Sequence, residues 1–224
     1  MGRLIILAEK GPMVALDTTF VRRWMTEIAR LMEEQREFLT QLDAAIGDAD
    51  HGVNMHRGFS AVMKKLEETS DATPGGLLTT VGATLISTVG GASGPLYGTA
   101  FRQAGKALGD DESFEPRGLL AALRAGLEGI QKLGAAMPGD KTIVDALSPA
   151  LDAFESELDA GGSIESAVTE ARGAAEDGVR ATIELQAKKG RASYLGPRSV
   201  GHQDPGATST ALIFSALEKI TTGS

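Results

Sequence analysis

Apolar residues in this 224-residue chain recur at intervals of three and four almost from end to end, a spacing that fits helices and little else. Trp24, Ile28, Leu31, Phe38 and Leu42 form one stripe over residues 18–45, and Met55, Phe59, Val62 and Leu66 form the next. Leu120, Leu123, Leu127 and Ile130 mark another helix, and Ile143, Leu147, Leu151 and Phe154 a further one. The polar, alanine-rich segment 163–188 predicts a long surface-facing helix. The last helix opens at Asp204-Pro205-Gly206, an acidic cap followed by a first-turn proline. Between residues 74 and 108 the pair Gly90-Gly91 separates what would be two more helices. No run of alternating β-branched residues bounded by turns is present, and Leu4 to Leu7 is the one short strand candidate. The expectation is an all-α domain of seven or eight helices over residues 13–224, preceded by a poorly ordered extension, 1–12.

Composition narrows the function classes. A formal net charge of -8 argues against a nucleic-acid partner. The absence of cysteine removes disulfides, thiolate chemistry and Cys-ligated zinc, and fits a reducing cytoplasm. The apolar run near the N-terminus is five residues long, too short for a signal peptide. Residues 72–101 carry no charge but hold too many Gly, Pro, Ser and Thr for a spanning helix. They are expected to be buried core, and the chain to be soluble and free of the membrane.

Four polar, glycine-bearing stretches fall between the helices: 43–54, 90–98, 134–142 and 190–208. If neighbouring helices run up and down, these connectors gather at one end of the bundle. The first holds Asp43, Asp48, Asp50 and His51 in "DAAIGDADHG", with no basic residue close by in sequence. Oxygen donors without cysteine suit a hard cation, magnesium before zinc; the alternative is a solvated turn with Asp50 capping the next helix. The second, "GGASG" ahead of a helical pattern, resembles a phosphate cradle, although close helix packing explains such glycines equally well. It is not a Walker A loop, a motif absent from the chain. In the third, Asp140 or Thr142 is a cap candidate for the following helix. The fourth concentrates Arg191, Arg198, His202 and Asp204 in a long loop of the kind that usually serves function. Of the other two histidines, His51 sits among the acids, where it could hydrogen-bond a phosphate, and His56 is expected at the surface.

Taken together, "LDAAIGDADHGVNM", "GGASGPLYGTAF", "GDKTIVDAL" and "GRASYLGPRSVGHQDPGATS" closely resemble the nucleotide-binding L subunit of dihydroxyacetone kinase. The resemblance runs in order over residues 17–220. It implies an eight-helix barrel with ADP or ATP at one end and two Mg²⁺ held by Asp43, Asp48 and Asp50. It further implies nucleotide contacts from His51, Gly52, Val53, Asn54, Ala92, Ser93, Gly134, Ile143, Arg191, Asp204, Pro205 and Gly206. Fused, ATP-dependent members are longer, so the resemblance implies a separate substrate-binding K subunit and a phosphohistidine M subunit that rephosphorylates tightly held ADP. The alternatives are an ATP-dependent kinase subunit for a related ketose such as erythrulose, a nucleotide-bound regulatory module, and a purely structural bundle.

Overall fold

Helices follow the apolar spacing through residues 15–70 and 72–223, which the computed structural model describes. The extension expected over residues 1–12 and the strand candidate Leu4 to Leu7 lie outside them. The elements are α1 (Thr18–Glu34), α2 (Arg36–Ile46), α3 (His51–Glu67), α4 (Pro74–Thr88), α5 (Ser93–Leu108), α6 (Pro116–Gly134), α7 (Val144–Asp159), α8 (Ile164–Ala181) and α9 (Pro205–Thr222). Short 3-10 turns occupy Thr182–Glu184 and Arg191–Ser199. Among the described residues the sole strand-like pairing is an isolated bridge, Asp17 to Ser113.

The fold is all-α. Packing closes a ring: α1 meets α3, then α4, α5, α6, α7, α8 and α9 follow in order, and α9 returns to α1. The shorter α2 lies outside the sequence of the ring, against α3 and α9. Trp24, Phe59, Phe101 and Phe214 point from four helices into the shared interior. Phe101 sits 6.0 Å from the Trp24 ring and 6.2 Å from that of Phe59, the latter edge-on. The indole N–H of Trp24 donates to the Ile213 carbonyl at 3.1 Å, so its burial leaves no donor unpaired.

Two helices differ from the sequence expectation. The stripe over 18–45 is broken at Gln35, because residues 33–37 are all polar and nothing anchors the turn to the core. The break shifts the register, so that Leu39 is buried and Phe38 is left 44% exposed. The segment 163–188 stops being α-helical at Ala181, where the Thr182 hydroxyl turns to the Val179 carbonyl. Nor does α8 simply face solvent: Ala167, Val168, Ala171 and Ala175 are buried against its neighbours.

The uncharged region 72–101, expected to be core, buries only one face of α4 and α5 and leaves Ile86 and Pro95 exposed; glycine is what lets the two helices approach. Gly75 and Gly82 on α4 oppose Gly105 and Gly98 on α5, two pairs seven residues apart on antiparallel helices. A Cβ on any of the four would collide with backbone of the facing helix, notably Gly82 with the Gly98 carbonyl. Gly173 on α8 has open space where a Cβ would go. The two sites are expected to respond with opposite signs in urea unfolding. Gly82→Val should cost about 1–3 kcal/mol through overpacking, while Gly173→Ala should gain up to about 1 kcal/mol from helix propensity.

Candidate functional site

The α2–α3 turn is built around one buried carboxylate. Asp43, on the last turn of α2, accepts hydrogen bonds at Oδ2 from the amides of Asp50 (2.9 Å) and His51 (3.2 Å). It thereby caps α3 from seven residues upstream, and Asp50, at the N-cap position, makes no side-chain cap of its own. Gly47 is required here, since a Cβ would overlap the Asp43 carboxylate. Ala49 takes a left-handed φ of 61°, an uncommon conformation for a residue with a side chain. The result is that Asp43, Asp48 and Asp50 each present a carboxylate oxygen within 4.8 Å of the others.

All four polar connectors line one cleft of about 400 Å³, at the end of the ring where α2 meets α3, α4 meets α5, α6 meets α7 and α8 leads into α9. Four helix N-termini open near it, and they are not equivalent. Asp43 caps α3, and Asp204 caps α9 by accepting from the Ala207 amide at 2.7 Å. At α7 the acid is Asp145 in the first turn, which accepts from the amides of Gly139 (2.5 Å) and Thr142 (2.7 Å) in the preceding loop. The N-terminus of α5 has neither a side-chain cap nor an acid in its first turn. Its amides and positive dipole end are therefore left for an anion in the cleft.

Behind this surface lies a buried hydroxyl network. His51 Nδ1 lies 3.1 Å from Ser93 Oγ and Nε2 lies 2.9 Å from Ser209 Oγ. Tyr97 extends the chain, its hydroxyl 2.6 Å from Ser209 Oγ, 2.9 Å from Thr210 Oγ1 and 2.9 Å from the Gly206 carbonyl. Burial lowers the His51 pKa, against the opposing pull of Asp43 and Asp50, and raises that of Tyr97. Neutral His51 thus has both ring nitrogens engaged. Burial also pushes the Asp204 carboxyl up to about 7, although the Ala207 amide and Lys141 favour its charged form.

Of the residues singled out in the sequence, Asp43, Asp48, Asp50, His51, Ala92, Ser93, Gly134, Ile143, Arg191, Asp204, Pro205 and Gly206 line the cleft. Arg191 Nε pairs with Asp48 Oδ2 at 2.9 Å, so a cation distant in sequence does reach the acidic turn. Gly52, Val53 and Asn54 do not line it. A Cβ on Gly52 would strike the Arg36 carbonyl, which makes Gly52 a packing position between α3 and α2. Val53 is exposed on the outer face of α3. Asn54 is buried, accepts from Arg57 Nη2 at 2.6 Å and sits beside Gly90, and so reaches the site indirectly. His56 is half-buried with an unpartnered Nδ1, not a surface residue. Of the two cap candidates for α7, Thr142 accepts from the first helical amide, that of Val144, at 3.1 Å, whereas the Asp140 carboxylate turns back to the Met137 amide. Sequence reasoning missed Lys141, Tyr97 and Ser209. The last two are polar residues inside apolar helical stretches, a pattern that reads as ordinary until the helices are paired.

The Asp204 environment makes a pH-dependent statement. A carboxyl whose pKa rises from 3.8 to about 7 on folding holds its proton more tightly in the native state. Its contribution is most favourable below about pH 4 and is lost as pH rises through about 7. Asp204→Asn keeps a good cap without that loss. The stability of the variant relative to the parent should therefore rise between pH 5 and pH 8, on the order of 2 kcal/mol, in paired urea titrations.

Comparison with known proteins identifies relatives over nearly the whole chain. The DAK2 domain family model matches residues 45–219. The ADP-binding subunit DhaL of the PEP-dependent dihydroxyacetone kinase of Escherichia coli K12 is 43% identical over 91% of this chain and 97% of its own length. The ADP-binding subunit DhaL of the PTS-dependent dihydroxyacetone kinase of Lactococcus lactis is 39% identical over 93% and 99%. The crystal structure of the dihydroxyacetone kinase of C. freundii in its native form shares the fold, with a TM-score of 0.70 at 24% identity. That match covers 98% of this chain and 38% of the larger one. The chain belongs to the DAK2 domain family.

Proposed function

We propose that this chain is the nucleotide-binding subunit of a dihydroxyacetone kinase. In this reading it holds ADP or ATP in the cleft and passes a phosphoryl group to dihydroxyacetone on a separate K subunit. A phosphohistidine M subunit rephosphorylates the retained ADP. The observation that carries the reading is the uncapped N-terminus of α5, which opens on the same cleft as the three convergent carboxylates. Anion-binding amides on one side and cation-binding acids on the other match a phosphate chain with its metal ions.

The donor set fits magnesium. Asp43, Asp48 and Asp50 offer only hard oxygens, and among the described residues Asp43 and Asp50 have no ion-pair partner. These three would hold two Mg²⁺, whose chemistry when bound is to neutralise charge on phosphate oxygens. The amides at Ala92 and Ser93 and the guanidinium of Arg191 position phosphate; the apolar wall at Leu96, Ile130, Leu133 and Ile143 suits a base. Neutral His51 braces Ser93 and has no free ring nitrogen with which to attack phosphorus. The chain's task is thus to bind and orient, and the substrate carbonyl is left to the partner. This reading assigns the chain to the cytoplasm, in keeping with its lack of cysteine. Among the described residues no helix is long and apolar enough to cross a membrane.

Labelled phosphoenolpyruvate, the general phosphocarriers and an M subunit provide the test, with the chain in its ADP-bound form. Label should appear as bound ATP and pass to dihydroxyacetone only when a K subunit is added. Acid-labile label that stays on the chain after the nucleotide is stripped would refute the relay. Calorimetry of ADP with Mg²⁺ should show that Asp48→Asn abolishes metal-dependent retention and that Arg191→Lys weakens it despite the conserved charge. Unchanged affinity in Asp48→Asn would remove the metal assignment.

A further inference from the structure

A lysine in the lining of a nucleotide cleft invites assignment to a phosphate. Lys141 lines this cleft, yet it is 1% exposed and its ammonium is fully occupied elsewhere. Nζ donates to the carbonyls of Thr182 (2.8 Å), Leu185 (3.1 Å) and Ser199 (2.8 Å), with the His202 carbonyl closing the set. Three N–H bonds shared among four carbonyls leave no donor for a ligand. No carboxylate lies within ion-pair distance of it among the described residues, so the four carbonyl dipoles are its direct partners, with the Asp204 carboxyl acting on it only from beyond contact. The backbone of Lys141 holds a left-handed φ of 62° to deliver the side chain there.

The four acceptors have a common feature. Thr182 and Leu185 begin the strap that joins α8 to α9; Ser199 and His202 end it. Between them the strap carries Lys189, Gly190, Arg191 and Ala192 onto the cleft. Its two stems also meet directly, through the Gly201 amide on the Ile183 carbonyl (2.7 Å) and the Ala187 amide on Ser199 Oγ (2.9 Å). A further bond ties it to the loop of Lys141 itself, from the Lys188 amide to the Asp140 carbonyl (3.1 Å).

We infer that Lys141 is a positioning residue: a buried ammonium clip that fastens both stems of the 182–203 strap to the α6–α7 loop and so fixes Arg191 over the nucleotide cleft. The clip itself stands on the geometry of the free chain; its consequence for nucleotide retention rests on the proposed function.

Two measurements on the full chain test it. In the nucleotide-free parent, nitrogen-15 NMR of the lysine ammonium groups should show Lys141 protected from solvent exchange. Exchange as fast as that of the surface lysines, or protection that appears only on adding ADP, would overturn the clip and make Lys141 a phosphate ligand. In Lys141→Met, which keeps the stem and loses the donors, the amides of Ala187, Lys188 and Gly201 should exchange hydrogen about ten-fold faster or more, with α3 and α5 unchanged. ADP should dissociate faster by a similar factor while still binding with Mg²⁺. Parent-like exchange at those three amides would overturn the inference. If the methionine variant does not fold, the ammonium measurement on the parent decides alone. If the parent itself binds no ADP, the proposed function fails, while both exchange measurements still judge the clip.

Discussion

The hydrogen bonds from the Asp50 and His51 amides to Asp43 are the constraint on which the site depends. A helix start normally borrows its cap from the residue at the N-cap, which would spend the Asp50 carboxylate on its own backbone. Here the preceding helix supplies the cap instead. That choice buries Asp43, fixes the angle between α2 and α3, and leaves the carboxylates of Asp48 and Asp50 with no role in holding the turn. Gly47 and the strained Ala49 follow from it, because the chain must turn tightly enough for Asp43 to reach across. Three acids can then crowd together for a ligand without the fold relying on two of them.

The same logic governs the whole end of the ring. Every junction there places a helix N-terminus next to solvent, and each such terminus attracts negative charge. Three of the four take that charge from the protein, through Asp43, Asp145 and Asp204. The fourth, at α5, begins with small residues and no acid. One helix N-terminus is thereby distinguished from its neighbours by what is absent, and it lies where glycine packing has drawn α4 and α5 together.

Much of this was legible in the sequence, for identifiable reasons. Helical spacing located the helices because each buries one apolar stripe. It failed at Gln35 because charged residues at 33–37 favour helix locally, while the break follows from packing. The acidic turn was legible because crowded carboxylates need an explanation wherever they fold. Lys141 was not: in "GDKT" a lysine reads as a solvated charge, and the four carbonyls that hold it lie more than forty residues downstream. Tyr97 and Ser209 were hidden for the same reason, since each is completed by a residue over a hundred positions away. Carry-over by motif placed Gly52, Val53 and Asn54 among the site residues, whereas in the free chain Gly52 packs against α2, Val53 is exposed and Asn54 accepts from Arg57.

Two of the cations that line the cleft, Arg191 and Lys141, divide the work by burial. Arg191 and Asp48 are 68% and 36% exposed at the side chain, and an ion pair in that setting is worth about 0–1 kcal/mol. Separating it to accommodate a phosphate on one side and a metal ion on the other would cost little. Lys141 is the opposite case: its ammonium is out of water, and withdrawing a carbonyl from it would leave buried charge unpaired, a much larger penalty. An exchangeable pair at the rim is thus mounted on a contact that cannot exchange. A ligand can then replace the partner of Arg191 while the strap that carries Arg191 stays anchored by Lys141.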